Sequence, residues 1–166
     1  MSGGSPETAQ WDRYWDYGSL HSFSQVAGGN YEGAVAAYWR SRFQALRDGG
    51  RLLDVATGNG AIALLALEES DRRRQPFEIC GVDLADIAPA SRVGDPGLRE
   101  KLGRVEFRGR TPAERLPFED GRFGLVASQF GIEYSNLARS VPEAARVLEP
   151  GGTLALIMHH RDSMLL

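Results

Sequence analysis

The sequence contains one cysteine, Cys80, one lysine, Lys101, and three histidines among its 166 residues. A lone cysteine excludes an intramolecular disulfide. With histidine only at positions 21, 159 and 160 there is no metal-ligand spacing either, so no structural metal is expected. Apolar neighbours give Cys80 the reading of a small buried side chain, which fits a reducing, cytoplasmic setting. Long apolar runs are missing too. None reaches the roughly eighteen residues of a transmembrane helix, and MSGGSPETAQ lacks the basic-then-apolar order of a secretion signal, so no membrane partner is expected. Positive charge is not in excess: 22 acidic against 19 basic residues leave a net −3. Without a basic balance, a base-reading helix or an aromatic/basic repeat, nucleic acid is not an expected partner. The Arg72 to Arg74 run reads as a solvated bend, and the shortage of lysine as compositional bias without catalytic meaning.

What is present is enough to bury a core: 42% hydrophobic and 25% charged residues, with no low-complexity segment and no internal repeat. Residues 1–30 read as a flexible N-terminus with an aromatic preface, and residues 31–166 as the folded core. In the preface, Trp11, Tyr14, Trp15 and Tyr17 either anchor the terminus or close as a lid over a flat or hydrophobic substrate. From Tyr31 to Leu46 the apolar stripe Val35, Tyr38, Trp39, Phe43, Leu46 predicts a helix, stopped at Gly49-Gly50. RLLDVA then predicts a buried strand, followed by the tight TGNG loop and the helical run AIALLALEE. FEICGVD, RVEFRG and FGLVASQF predict three further strands. Pro142 to Leu148 predicts a helix with proline in its first turn, EPGG punctuates the chain, and TLALIMHH predicts a fifth strand. Strands alternating with helices imply a parallel sheet covered on both faces, whose functional groups gather beyond the strands' C-terminal ends.

The densest constellation falls at such an end. In Asp54-Val55-Ala56-Thr57-Gly58-Asn59-Gly60 the glycines let backbone approach a ligand, and the following helix start presents unpaired N–H groups. Asp54 supplies a carboxylate that organises the loop or meets a cationic amino-acid moiety. Asp83 ends the next predicted strand, 23 residues after Gly60, where an acidic side chain accepts the two hydroxyls of a ribose. A nucleoside-bearing cofactor follows.

LLDVATGNG, GVDLA, FGLVASQF and EAARVLEPGG, in that order, resemble the motifs of the class I S-adenosylmethionine-dependent methyltransferases over most of residues 31–160. The resemblance implies an α/β, three-layer Rossmann-like methyltransferase core with a mostly parallel sheet. It also implies S-adenosyl-L-methionine as cofactor and methyl transfer to an oxygen, nitrogen or carbon of a small-molecule acceptor. By the same resemblance Asp54, Ala56, Gly58 and Gly60 border the methionine part, Asp83 and Leu84 the ribose, Ala113 and Glu114 the adenine, and Gln129 and Phe130 the cofactor after the fourth strand. The sequence departs from the family in lacking an acidic residue at Arg110-Thr111 and at Phe123-Gly124. Family members commonly continue to two further strands, whereas only RDSMLL follows the fifth predicted one. The core is therefore expected to be short of its last two strands, leaving a sheet edge for a homodimer to cover.

Methyl transfer requires alignment and exclusion of water, and a base where the nucleophile is a hydroxyl. Glu133, Tyr134 and His159 are the catalytic candidates because they fall at the exits of the last two predicted strands; His160 reads as structural or solvent-facing. Tyr14, Tyr17 and Tyr134 are the candidates for holding the acceptor. Two other functions use some of the same features: a nicotinamide-dependent oxidoreductase, and a non-catalytic cofactor-binding or interaction domain.

Overall fold

In the strands, side chains alternate between faces, and that alternation decides what each helix covers. The computed structural model describes residues 6–22 and 29–160. In β1 (Arg51–Val55), Leu52 joins a core built with helices α2 (Gly33–Phe43) and α3 (Ala61–Arg73), whereas Leu53 and Val55 join a second core on the opposite face. That second core is closed by α6 (Leu137–Val147) through Ala144 and Val147, and by Leu116 and Phe118 from the long connection before β4 (Phe123–Gln129). Trp39, Phe43, Leu52, Leu53, Leu64 and Leu65 are all at most 2% exposed. Each large apolar side chain buried to this degree contributes about 1.5–3 kcal/mol.

The remaining elements are α1 (Pro6–Asp16), β2 (Glu78–Val82), α4 (Pro89–Arg92), α5 (Pro96–Leu102), β3 (Glu106–Arg108), a single 3-10 turn (Ile132–Tyr134) and β5 (Leu148–Ile157). Five strands run parallel in the order β3-β2-β1-β4-β5. The chain winds outward from β1 to β3, then crosses to β4 on the other side of β1. The strand ends diverge at that reversal, and the C-terminal ends of β1 and β4 bound a crevice. This is the three-layer, parallel α/β architecture expected from the sequence.

Several elements differ from expectation. The N-terminal segment left outside the fold is helical from Pro6, and Thr8 is buried. α6 starts at Leu137, so Pro142 sits inside the helix and withholds one backbone N–H there. EPGG lies within β5: pairing shifts between Phe123↔Leu148 and Leu125↔Thr153, and the extra residues are absorbed as an irregularity of the strand. Arg72 and Arg73 form the last turn of α3, and Arg73 donates to the carbonyls of Phe43 and Leu46 at the end of α2. Arg74 adopts a left-handed cap at φ 55°. The stretch between Asp83 and Val105, given no element by its pattern, carries α4 and α5, the latter capped by Asp95 accepting the Leu98 N–H at 2.9 Å. Cys80 is buried, 4% exposed. Among the described residues no helix is long and apolar enough to cross a membrane, and no cluster of His, Cys, Asp and Glu could hold a metal ion.

Candidate active site

The loop after β1 is built by hydrogen bonds that turn it back over the sheet. The Thr57 N–H donates to the Val82 carbonyl at 3.0 Å, the Thr57 hydroxyl to Asp54 Oδ2 at 2.6 Å, and the Gly60 N–H to the Thr57 carbonyl at 2.9 Å. Gly58 and Gly60 take φ of 53° and 87°, as glycine does without cost. Ala56 takes φ 56° and lacks that freedom, so it carries about 1–2 kcal/mol of strain. Asp54 is 1% exposed. Burial pushes its carboxyl up to about 7, opposed by the Thr57 hydroxyl and the Ala63 N–H and reinforced by Asp83.

Asp83 spans the gap between this loop and β2. Its Oδ2 accepts the Gly58 N–H at 2.8 Å and its Oδ1 the Ala85 N–H at 2.9 Å. A carboxylate offers about four lone-pair sites, so each oxygen retains one acceptor position. Burial raises the Asp83 pKa, and the two N–H donors lower it.

At the end of β4 the backbone turns sharply: Phe130 adopts φ 52°, and Gly131 lies so close to Ala56 that a Cβ on it would fall 2.4 Å from the Ala56 Cβ. Two non-glycine residues in left-handed conformation thus face each other across the switch point, a concentration of strain typical of functional clefts. Gln129 is buried, and its Oε1 accepts the indole N–H of the fully buried Trp39. The 3-10 turn aims Glu133 at β5, where Glu133 Oε1 accepts the His159 backbone N–H and meets His159 Nδ1, each at 3.0 Å. The His159 ring stacks on Phe130 at 4.4 Å, and Glu133 Oε2 is buried without a partner.

These groups line two cavities. One, of about 760 Å³ and open to solvent, lies at the ends of β2 and β3, against Asp83, Leu84, Thr111, Ala113 and Glu114. The other, of about 730 Å³, lies over β1, β4 and β5 against Asp54, Thr57, Tyr31, Gln129, Tyr134 and His159. Trp11 and Trp15 of α1 line both, together with Ala56, Phe130 and Tyr134. α1 is tied down at several points. Arg110 donates to both oxygens of Asp12 at 3.0 and 2.8 Å, the Asp86 N–H donates to Asp12, and Asn59 Nδ2 donates to the carbonyls of Trp15 and Ser19. A Cβ on Gly58 would lie 2.3 Å from the Trp15 ring, so only glycine admits the indole against the loop.

The structure thus brings Asp54, Ala56, Asp83, Leu84, Ala113, Glu114, Gln129, Phe130, Tyr134 and His159 to one pair of adjoining cavities, whereas Gly58, Gly60 and Glu133 line neither. Three placements differ from the sequence reading. Tyr17 is 85% exposed and lines neither cavity, whereas Tyr14, with its ring edge-on to Trp11 and Trp15, does. Glu114 directs its carboxylate to the Asn136 N–H at 2.7 Å, which fastens the β3 to β4 connection to the start of α6. Gln129 lines the cavity with His159, not the one with Asp83. Sequence reasoning passed over Trp39, Tyr31, Thr57 and Asn59. Only Trp11 and Trp15 carried a signal of their role, four residues apart and so on one helix face.

Comparison with known proteins agrees with this geometry. The sequence model of a methyltransferase domain matches residues 53–156. A ubiquinone/menaquinone biosynthesis C-methyltransferase of Geobacter sulfurreducens is 36% identical over 117 residues, 66% of this chain and 42% of that protein. The chain therefore spans less than half the length of that relative. Among solved structures, the YcgJ protein of Bacillus subtilis superposes with a TM-score of 0.59 at 25% identity, covering 75% of this chain and 51% of that one. Geranyl diphosphate C-methyltransferase of Streptomyces coelicolor shares the fold over 95% of this chain and 67% of its own, with a TM-score of 0.65 at 19% identity.

Proposed function

Because the chain belongs to the class I S-adenosylmethionine-dependent methyltransferase family, we propose that it binds S-adenosyl-L-methionine across the ends of β1, β2 and β4 and methylates a small, ring-bearing acceptor lodged beneath α1. The observation that carries this reading is Asp83, which is held by two backbone N–H groups yet keeps an acceptor position on each oxygen where it borders the cavity at the ends of β2 and β3. A ribose diol supplies two donors at that spacing, so the residues fit the cofactor. Ala113 and Glu114 then flank the base, and Leu84 covers the ribose edge. Asp54 and Thr57 face the amino-acid end, where a buried carboxylate suits an ammonium group. When bound, S-adenosylmethionine supplies an electrophilic methyl group and a neutral thioether leaving group.

The chain's own residues do the rest. Trp11, Trp15, Tyr14, Phe130 and Tyr134 make an aromatic enclosure that stacks planar rings and displaces water. A hydroxyl nucleophile needs a base, and His159 is oriented for it. With Nδ1–H donating to Glu133 Oε1, the ring exposes Nε2 as its basic nitrogen. The curated relative named above is a quinone-biosynthesis enzyme, and a hydroxylated ring of that kind is the acceptor class the enclosure suits.

Calorimetry with S-adenosylhomocysteine tests the cofactor assignment. Saturable binding is expected, with affinity falling about 10- to 100-fold in Asp83→Ala because charge-assisted hydrogen bonds are lost. Binding of NAD in its place would overturn it. A naphthohydroquinone assay for S-adenosylhomocysteine release tests the transfer itself, with His159→Asn expected to slow it by about 10²-fold or more.

A further inference from the structure

The residues assigned to the cofactor are divided between the two cavities. Asp83, Leu84, Ala113 and Glu114 line only the one at the ends of β2 and β3, whereas Asp54 and Thr57 line only the other. Gly58 lies between the two acids: its N–H binds Asp83 Oδ2, and the neighbouring Thr57 hydroxyl binds Asp54 Oδ2. A molecule that reaches both acids runs past Gly58. Yet Gly58 lines neither cavity, because Trp15 lies on it, with three atoms of the indole 2.3 to 2.7 Å from where a Cβ would stand. The same indole lines both cavities, so it occupies the seam between them.

The glycine loop itself holds the ring in place. Asn59 is fully buried, and its Nδ2 donates to the carbonyls of Trp15 at 3.0 Å and Ser19 at 2.8 Å. Elsewhere α1 is fastened lightly. Among the described residues, none in α1 belongs to a hydrophobic core cluster. The helix is held by Arg110 and the Asp86 N–H on Asp12, by Arg92 on Asp16 at 3.2 Å, and by the edge of Trp11 on Tyr134, with 5.3 Å between centroids. Partly exposed ion pairs are weak, so α1 can lift away while the sheet and its cores stay folded.

Resting on the methyltransferase reading above, we infer that α1 is an autoinhibitory strap, with Trp15 seated where S-adenosyl-L-methionine crosses the glycine loop. The cofactor enters when the indole leaves Gly58, and only then do the two cavities form one site. The affinity observed for the cofactor is its intrinsic affinity reduced by the fraction of molecules with the strap withdrawn. Taking a large aromatic ring out of the wall of the site therefore strengthens cofactor binding.

The test compares the full wild-type chain with Trp15→Ala, using S-adenosylhomocysteine and adenosine as probes. Adenosine carries the base and ribose without the amino-acid arm, so it fits the cavity of Asp83 with Trp15 in place. By calorimetry S-adenosylhomocysteine should bind Trp15→Ala about tenfold or more tightly than wild type, with adenosine affinity unchanged within about twofold. In stopped-flow fluorescence the wild-type association rate should level off as S-adenosylhomocysteine rises, limited by withdrawal of the strap, whereas in Trp15→Ala it should keep rising in proportion. Arg110→Ala loosens the strap and leaves Trp15 present, so it should tighten S-adenosylhomocysteine binding about two- to fivefold. Unchanged or weaker S-adenosylhomocysteine binding in Trp15→Ala would overturn the inference. So would an equal gain for adenosine, which would place the effect within the first cavity and not at the seam. Binding of S-adenosylhomocysteine by neither protein would remove the methyltransferase reading and the inference with it, whereas binding by Trp15→Ala alone would support both.

Discussion

Replacing Gly131 with alanine should damage the protein, and removing the methyl group of Ala56 should repair it. Gly131 has φ −147°, outside the left-handed region, so alanine meets no left-handed backbone penalty there. The obstacle is contact: its Cβ would lie 2.4 Å from the Ala56 Cβ and 3.2 Å from the Ala56 carbonyl oxygen, against a normal carbon separation of about 3.5–4 Å. Both partners belong to strand ends that pair through β1 and β4, so neither can withdraw without opening the switch point. Overpacking of this kind costs about 1–3 kcal/mol. Taking about 2 kcal/mol and about 2–4 °C per kcal/mol for a chain of this length, Gly131→Ala should lower Tm by about 4–8 °C. Ala56→Gly removes about 1–2 kcal/mol of left-handed strain and adds about 0.5–1 kcal/mol of unfolded-state entropy, so alone it should be neutral or slightly stabilising. The double variant loses the Cβ to Cβ collision and should return to within about 1 kcal/mol of the parent, a coupling of about 2 kcal/mol in the range seen for touching residues. Urea and thermal unfolding of the four proteins measure this cycle. Additive effects, with the double variant as unstable as Gly131→Ala, would refute the contact as the cause.

Other consequences are quicker to check. Because the Asp54 pKa is raised from 3.8 to about 7 in the folded state, its stabilising contribution is full below about pH 4 and is lost as pH rises to about 7. The span corresponds to about 4 kcal/mol, so urea stability measured across this window should fall less steeply in Asp54→Asn. Arg110→Ala should leave Tm nearly unchanged, since the Arg110 end of the Asp12 pair is half exposed and such a pair is worth about 0.5–1 kcal/mol, yet raise acrylamide quenching of Trp11 and Trp15 fluorescence. Unaltered quenching would show that the pair does not hold α1. The buried Cys80 thiol, pushed up to about 12 chiefly by burial, should resist iodoacetamide at pH 8 until denaturant exposes it.

Much of this architecture was legible because it rests on short-range patterns. The short apolar run in RLLDV, the glycines of TGNG and the acid closing GVD mark β1, the loop, α3, β2 and Asp83, since each depends on residues within a few positions. What escaped depends on distant partners. Pro142 reads as a helix start by its own chemistry, but the packing of Ala144 and Val147 into the core, with Ser140 buried one turn before, carries it inside the helix. α1 buries its aromatic side against loops dozens of residues away, through Asp12 to Arg110 and Asn59 to Trp15, so its own composition reads only as an aromatic preface. The missing acid at Arg110 acquires a reason from the same contact, because the arginine there serves α1. Ala56 at φ 56° and the orientation of Gln129 by a tryptophan 90 positions earlier have no local signature at all.

α1 is the common wall of two chambers, with one face of Trp15 laid on Gly58 and the helix pinned at Asp12. A shared wall makes the chambers thermodynamically linked. Any occupant of one that shifts the position of Trp11 or Trp15 changes the free energy of filling the other, and reciprocity requires the same factor in both directions. Order of addition then becomes a measurable property of the fold: the helix converts two adjoining binding events into one coupled equilibrium, with the sign of cooperativity set by how far each occupant displaces the indole rings.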